Sequence, residues 1–281
     1  MKYIAPFYGE FGWEVALWVP HLRYLRKHVD FYSDWTVFCL PGHKGLYTDL
    51  NHAVVTEVEP PNITRIDCQN VWISGAAVRG YADEIYRLVR KRVGKANIYS
   101  PLDMRPEWDP VPTMKRLLYR NYVPDRAAIK GCVGFHARDC EDKQPERNWD
   151  EFKWCDLTAE VRPQWAIWFG AKNAAMNGDG IDYRGQILSN VTQKMAQCEM
   201  LVGPSSGPLH LANMCGVPVV WWSSNAKDVP RYGQVWNPFE CPNVQASGSW
   251  DPSVAEVSDG IARLRELLGD VNRQGLDEVV G

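Results

Sequence analysis

Short apolar runs alternate along the chain with stretches in which apolar residues return every three or four positions. Runs of this length that stop at glycine or proline predict buried parallel strands, and the wider spacing predicts amphipathic helices. Tyr3 to Pro6 predicts a first strand and Phe7 to Glu14 a glycine-bearing loop. Val15, Trp18, Val19, Leu22 and Leu25 form the inner face of the helix that follows, in which Pro20 sits in the first turn or kinks the axis. Trp35 to Leu40 predicts the second strand, closed by Pro41-Gly42, so the chain opens on a βαβ unit whose crossover is right-handed. Ala53 to Val58 and Val71 to Ser74 are weaker strands, and Tyr81 to Val93 is a helix with Ile85, Leu88 and Val89 inward. Arg87, Arg90, Lys91, Arg92 and Lys95 give it a basic outer face, either solvated or turned to a charged acceptor.

Between Pro101 and Pro124 the pattern breaks, with Pro106, Pro110 and Pro112 leaving room for only a short helix near Met114 to Tyr119. This stretch divides the chain into residues 1–124 and 125–281. The second part repeats the alternation, with strands at Cys132 to His136, Trp165 to Phe169, Met200 to Val202 and Val217 to Trp222, and a short one at Asn243 to Ala246. Helices fall at Asp150 to Val161, Ile187 to Gln197, Leu209 to Met214 and Pro252 to Leu268, with the last dozen residues loose. Strand and helix in turn give an α/β fold with parallel sheets.

The composition narrows the function. A chain of 281 residues with 45% hydrophobic content has ample core for two small α/β domains, and a net charge of -3 argues against binding polyanions through overall charge. Eight cysteines without a Cys-x-x-Cys pair, and no His cluster at zinc spacing, predict reduced thiols and no metal site. Neither a signal peptide nor an 18-residue apolar stretch is present, so a cytoplasmic protein without a transmembrane segment is expected. The 13 tryptophans suit sugar faces and nucleobases as well as cores.

The chemistry concentrates between Glu199 and Ser223. There a strand stops at Gly203-Pro204, Ser205 or Ser206 caps a helix that carries Pro208 in its first turn, and Gly216 ends that helix before the next strand. The N–H groups of Ser206, Gly207 and Leu209 at such a terminus point at an anion, and Gly207 lets a phosphate approach the backbone. His210 lies one turn after Ser206, either reaching the ligand or packed in the core. The order Val202-Gly-Pro-Ser-Ser-Gly-Pro-Leu-His-Leu-Ala212, then Gly216-Val-Pro-Val-Val220, resembles the signature of the ADP-heptose:lipopolysaccharide heptosyltransferases. That family has Asp where Ser205 stands. The resemblance implies a GT-B glycosyltransferase: two Rossmann-like parallel-sheet domains facing across a cleft, with the nucleotide-sugar diphosphate at this turn.

Other candidates follow from strand ends, where open α/β sheets bind ligands. His136-Ala137-Arg138 leaves a strand, and Lys143 and Arg147 follow in the same polar loop before Asn148-Trp149. Arg147-Asn148-Trp149 resembles a basic loop of the heptosyltransferases, and His136-Ala137-Arg138 is similar to the His-x-Arg of fucosyltransferase-like enzymes. Arg138 is the expected diphosphate clamp, unless it pairs with Asp139, Glu141 or Asp142. Glu10 after Gly9 looks like the counterpart of the heptosyltransferase loop Asp, which makes it the expected base for the acceptor hydroxyl, with Glu14 its rival. No Gly-x-Ser-x-Gly elbow supports a serine hydrolase and no Gly-x-Gly-x-x-Gly follows the first strand as in a Rossmann oxidoreductase. The expected function is metal-free, inverting transfer of a sugar to an acceptor hydroxyl, with no cofactor beyond the nucleotide-sugar donor. The acceptor is a glycan, a small molecule or a hydroxylated DNA base. A nucleotide-sugar epimerase or hydrolase of the same fold, and a non-catalytic nucleotide-sugar binding module, are the alternatives.

Overall fold

The computed structural model describes residues 2–7, 11–29, 34–50, 53–58, 86–94, 96–101, 120–141, 144–172 and 174–280. Val71 to Ser74, Met114 to Tyr119 and most of the proline-rich crossing lie outside them. The chain falls into two compact units, Met1–Tyr119 with Ile187–Ser189, and Arg120–Gln186 with Asn190–Gly281. Tyr122 belongs to the second, where its N–H donates to the carbonyl of Met214 (2.9 Å).

The first unit is a parallel sheet of β1 (Lys2–Ile4), β2 (Trp35–Cys39), β3 (Ala53–Glu57) and β4 (Ile98–Tyr99) in the order β3-β2-β1-β4. Between β1 and β2 the chain runs through Phe11–Trp13, a π-helical turn Glu14–Trp18 and helix α1 (Val19–His28). Pro20 stands at the start of α1, so its missing N–H is absorbed where the wide turn gives way to the α-helix. Trp18 is fully buried and stacks on Tyr99 (centroids 5.9 Å, 8°), whose hydroxyl bonds His21 Nε2 at 2.7 Å. Residues 86–93 are helical, with Val89 packed on Phe38 and Val58 while Arg87, Arg90, Lys91 and Arg92 are exposed.

The second unit is a six-stranded sheet, β5 (Cys132–Phe135), β6 (Trp165–Trp168), β7 (Ile181–Asp182), β8 (Met200–Pro204), β9 (Val219–Trp222) and β10 (Asn243–Ser247). Its order is β10-β9-β8-β5-β6-β7, parallel at every pairing. The chain walks outward from β5 to β7, then returns to the other side of β5 for β8, so the winding reverses between β5 and β8. Helices α2 (Glu151–Val161), α3 (Leu188–Ala196) and α4 (Gly207–Met214) lie between these strands, and α5 (Val254–Val280) follows β10. Asp150 caps α2 by accepting from Phe152 N–H at 2.8 Å. Ser253 and Glu256 exchange backbone N–H bonds at the start of α5, a capping box (2.7 and 3.2 Å). The backbone of α5 stays helical to Val280, where the sequence predicts a loose end.

Tryptophans fill this core. Trp149 meets Trp154 edge-on (4.8 Å), Trp154 meets Trp168 (6.0 Å), and Trp149 lies against Trp222 (5.2 Å). All four are almost wholly buried, with Val133, Val202, Val257 and Ile261 around them, so these indoles serve packing. Every described cysteine is a free thiol. Among the described residues no helix is long and apolar enough to cross a membrane, and no group of three or more His, Cys, Asp or Glu is placed to hold a metal ion.

Candidate functional site

The winding reverses between β5 and β8, and the carboxyl ends of two such strands are the position at which open α/β sheets take ligands. The strands approach closely there because Gly203 carries no side chain: a Cβ on it would lie 2.8 Å from the carbonyl oxygen of His136. Beyond β8, Ser206 adopts an extended conformation (φ -165°, ψ 168°) and α4 begins at Gly207, with Pro208 in the first turn. The predicted strand, turn and helix are all present. Among the described residues the N–H groups of Gly207 and Leu209 have no acceptor, as first-turn donors do not. Ser206 N–H, expected free, donates to the Tyr232 hydroxyl at 3.3 Å.

The loop after β5 supplies the cations. Gln144 takes a left-handed conformation (φ 48°, ψ 59°), costly for a residue with a side chain, and from there it orders both arginines. Its carbonyl accepts from Arg138 Nη1 at 3.0 Å, and its side-chain oxygen accepts from Arg147 Nη1 at 2.8 Å. Arg138 Nη1 also donates to Asn148 Oδ1, and Asn148 bonds both the N–H and the carbonyl of Cys140 (3.1 and 3.2 Å). Arg138 is thus buried and braces its own loop. Arg147 crosses to the neighbouring strand: its Nη2 donates to the carbonyl of Ser205, and its guanidinium lies over the Trp250 ring (4.5 Å). The structure brings Arg147, Ser205, Ser206, Gly207 and Leu209 together. Lys143 and Glu10 lie outside the described residues.

His210 is 3% exposed, stacks on Tyr232 (4.6 Å) and meets Trp236 edge-on (4.6 Å). Burial lowers its pKa to about 3, with Asp228 opposing and Arg231 and Arg147 adding to the shift, so the ring is neutral. His136 is held the same way: burial lowers it to about 4, although its Nδ1 bonds the carbonyl of Phe169 at 3.1 Å. Three buried polar atoms around the turn have no hydrogen-bond partner among the described residues: Arg147 Nε, Ser206 Oγ and His210 Nδ1.

Sequence reasoning missed Tyr232, Gln144 and Trp250. Tyr232 is fully buried between Trp221 (4.4 Å) and His210, and burial pushes its hydroxyl well above the usual phenol range. Nothing local marks it, because its partners are distant in the chain.

In the first unit Glu14 opens the π-helical turn and is 1% exposed. Tyr47 hydroxyl donates to its Oε1 at 2.5 Å and His43 Nδ1 bonds its Oε2 at 2.7 Å. Burial works against charge on His43, but the charge and hydrogen bond of Glu14, with the charge of Glu57, raise its pKa. The sequence pattern did not point to His43 or Tyr47.

No protein-family model matches the sequence, and no curated protein does. By structure the chain is similar to E. coli ADP-heptose lipopolysaccharide heptosyltransferase II, with a TM-score of 0.55 and 12% identity over 94% of this chain and 98% of the other. It is similar to a glycosyltransferase family 9 protein of Veillonella parvula (0.50, 14% identity, 94% and 96% covered). It is also similar to TibC of enterotoxigenic E. coli, an iron-containing dodecameric glycosyltransferase (0.54, 12% identity, 95% and 77% covered). TibC, described as a heptosyltransferase, matches again in complex with ADP-D-beta-D-heptose (0.54, 14% identity, 96% and 78% covered). The fold, two parallel sheets of four and six strands, is that of the GT-B heptosyltransferase structures.

Proposed function

We propose that the chain is a glycosyltransferase that moves a sugar from a nucleoside diphosphate sugar to an acceptor hydroxyl, with inversion and with the chain's own cations in place of a divalent metal. One observation carries the reading. At the winding reversal of the second sheet, the Arg147 guanidinium and the positive end of α4 lie against the same turn, beside Arg147 Nε and Ser206 Oγ, which have no partner among the described residues. Two positive features beside unmet donors favour an anion with several acceptor oxygens, and a diphosphate supplies them. In transfer, the acceptor oxygen attacks the anomeric carbon and the bond to the diphosphate breaks, so negative charge grows where these groups stand.

The named activities of the similar structures agree with this reading, and TibC holds ADP-D-beta-D-heptose. Ser205 in place of the heptosyltransferase Asp leaves the sugar open. The test is release of nucleoside diphosphate from ADP-heptose, UDP-glucose and GDP-mannose, with and without lipopolysaccharide, oligosaccharides and hydroxymethylated DNA as acceptors. Release that needs an acceptor and persists in EDTA is expected. Turnover of the donor alone would make the chain a hydrolase or epimerase, and loss in EDTA reversed by manganese would overturn the metal-free step.

A further inference from the structure

We infer that Gln144 is a positioning residue: its side-chain oxygen holds Arg147 against the β8–α4 turn through a neutral contact, so that the guanidinium meets the diphosphate with its charge unspent. The inference rests on the diphosphate reading of that turn and names the residue that prepares its cation. All the residues concerned belong to the second unit.

A guanidinium stays charged at any working pH and presents its N–H donors in a fixed plane, so the acceptors that hold it decide what it can still do. Arg147 Nη1 donates to Gln144 Oε1 at 2.8 Å, Nη2 donates to the carbonyl of Ser205, and the guanidinium lies over the Trp250 ring (4.5 Å). Each of these partners is neutral. Glu141, Glu146, Asp150 and Glu151 lie within six positions along the chain, yet Arg147 forms an ion pair with no acidic group among the described residues. A carboxylate would hold the arginine as firmly but would cancel its charge, whereas a neutral oxygen fixes the side chain and leaves the charge for a ligand.

The backbone shows why a glutamine stands at this position. Gln144 has φ 48° and ψ 59°, a conformation that glycine adopts freely and a residue with a side chain adopts only when its surroundings impose it. The 3₁₀ turn Pro145–Arg147 then brings residue 147 round above residue 144, and Arg147 N–H donates to the Gln144 carbonyl at 3.0 Å. The same carbonyl accepts from Arg138 Nη1 at 3.0 Å. Glycine would serve the turn and both of these backbone bonds. It could not supply the oxygen that holds the Arg147 side chain, and a strained glutamine does.

The experiment uses the full chain and whichever of ADP, UDP and GDP the wild type binds most tightly, with affinity read by titration calorimetry and stability by melting temperature. Gln144→Ala keeps the backbone strain and loses the oxygen, whereas Gln144→Gly relieves the strain and loses the oxygen too. Both should weaken nucleotide binding about 3- to 10-fold, the worth of one hydrogen bond, although Gln144→Gly should melt at the higher temperature of the two. Affinity then follows the side-chain oxygen while stability follows the backbone, a separation that a merely structural role would not produce. Gln144→Glu keeps the length and an oxygen but sets a negative charge on the guanidinium, and it should also bind more weakly than wild type. In an Arg147→Ala protein, Gln144→Gly should cost no further affinity, because Gln144 acts through Arg147. Wild-type affinity in Gln144→Gly or in Gln144→Glu would overturn the assignment, as would an equal loss from Gln144→Gly with and without Arg147. A wild-type protein that binds none of the three nucleotides would instead overturn the diphosphate reading, and the positioning role with it.

Discussion

At the scale of single residues, charge and burial separate the two arginines that the sequence offers together. Arg138 is buried and committed to Gln144 and Asn148, whereas Arg147 reaches the β8–α4 turn. Arg147→Ala should therefore weaken nucleoside diphosphate binding by about ten- to a hundred-fold, the worth of a charge-assisted hydrogen bond. It should also lower the unfolding midpoint of the unliganded protein, because the bonds to Gln144 and Ser205 and the contact with Trp250 are lost, and titration calorimetry beside a melting curve checks both. Unchanged affinity would move the clamp to Arg138. The buried histidines make a second prediction. Burial lowers His21 and His136 to about 4 and His210 to about 3, from an ordinary value of 6.5. As pH falls below 6.5 the unfolded chain takes up protons that the folded chain refuses, so these three groups remove stability on acidification and none above 6.5. His43, raised when folded, acts in the opposite sense, adding stability that is present below its unfolded pKa and lost as pH rises through the folded one. Three against one, the melting temperature should fall between about pH 7 and pH 5, and His210→Gln should flatten the slope. A melting temperature that rises over that interval would show the histidines are not held neutral.

At the scale of elements, the strand, turn and helix from Met200 to Met214 were legible because every signal in them is local: an apolar run, Gly203-Pro204, a serine cap and a first-turn proline. The two-residue strands β4 and β7 were not, since so short a segment has no period to read. The π-helical turn was visible only as an awkward proline at position 20. Contacts between distant residues were hidden altogether: Tyr232 reaches Ser206, and Glu14 reaches His43, through the fold and not along the chain. The close approach of β5 and β8 gives a test at this scale. A Cβ at Gly203 would press on the His136 backbone at 2.8 Å, where no flexible side chain can yield. Gly203→Ala should destabilise the protein by about 1–3 kcal/mol, read as a lower urea midpoint with an unchanged slope, and should weaken nucleoside diphosphate binding as the ends of β5 and β8 shift apart. A midpoint equal to wild type would mean that the strands separate freely.

At the scale of the whole molecule, the βα alternation on either side of a proline-rich stretch was enough to predict two parallel-sheet units, and the motif from Val202 to Val220 was enough to point to the fold that the structural comparisons give. The first unit was less legible, because Glu14, His43 and Tyr47 are drawn together from separate segments of the chain. The central claim is that the winding reversal of the six-stranded sheet receives the diphosphate of a nucleotide. Its most direct measurement is the melting temperature of the full chain titrated with ADP, UDP and GDP, for the wild type and for Arg147→Ala. One of the three should stabilise the wild type by about 2.7 kcal/mol at a hundred times its dissociation constant, and the same concentration should stabilise Arg147→Ala far less. Equal stabilisation of the two proteins, or none by any of the three nucleotides, would contradict the account.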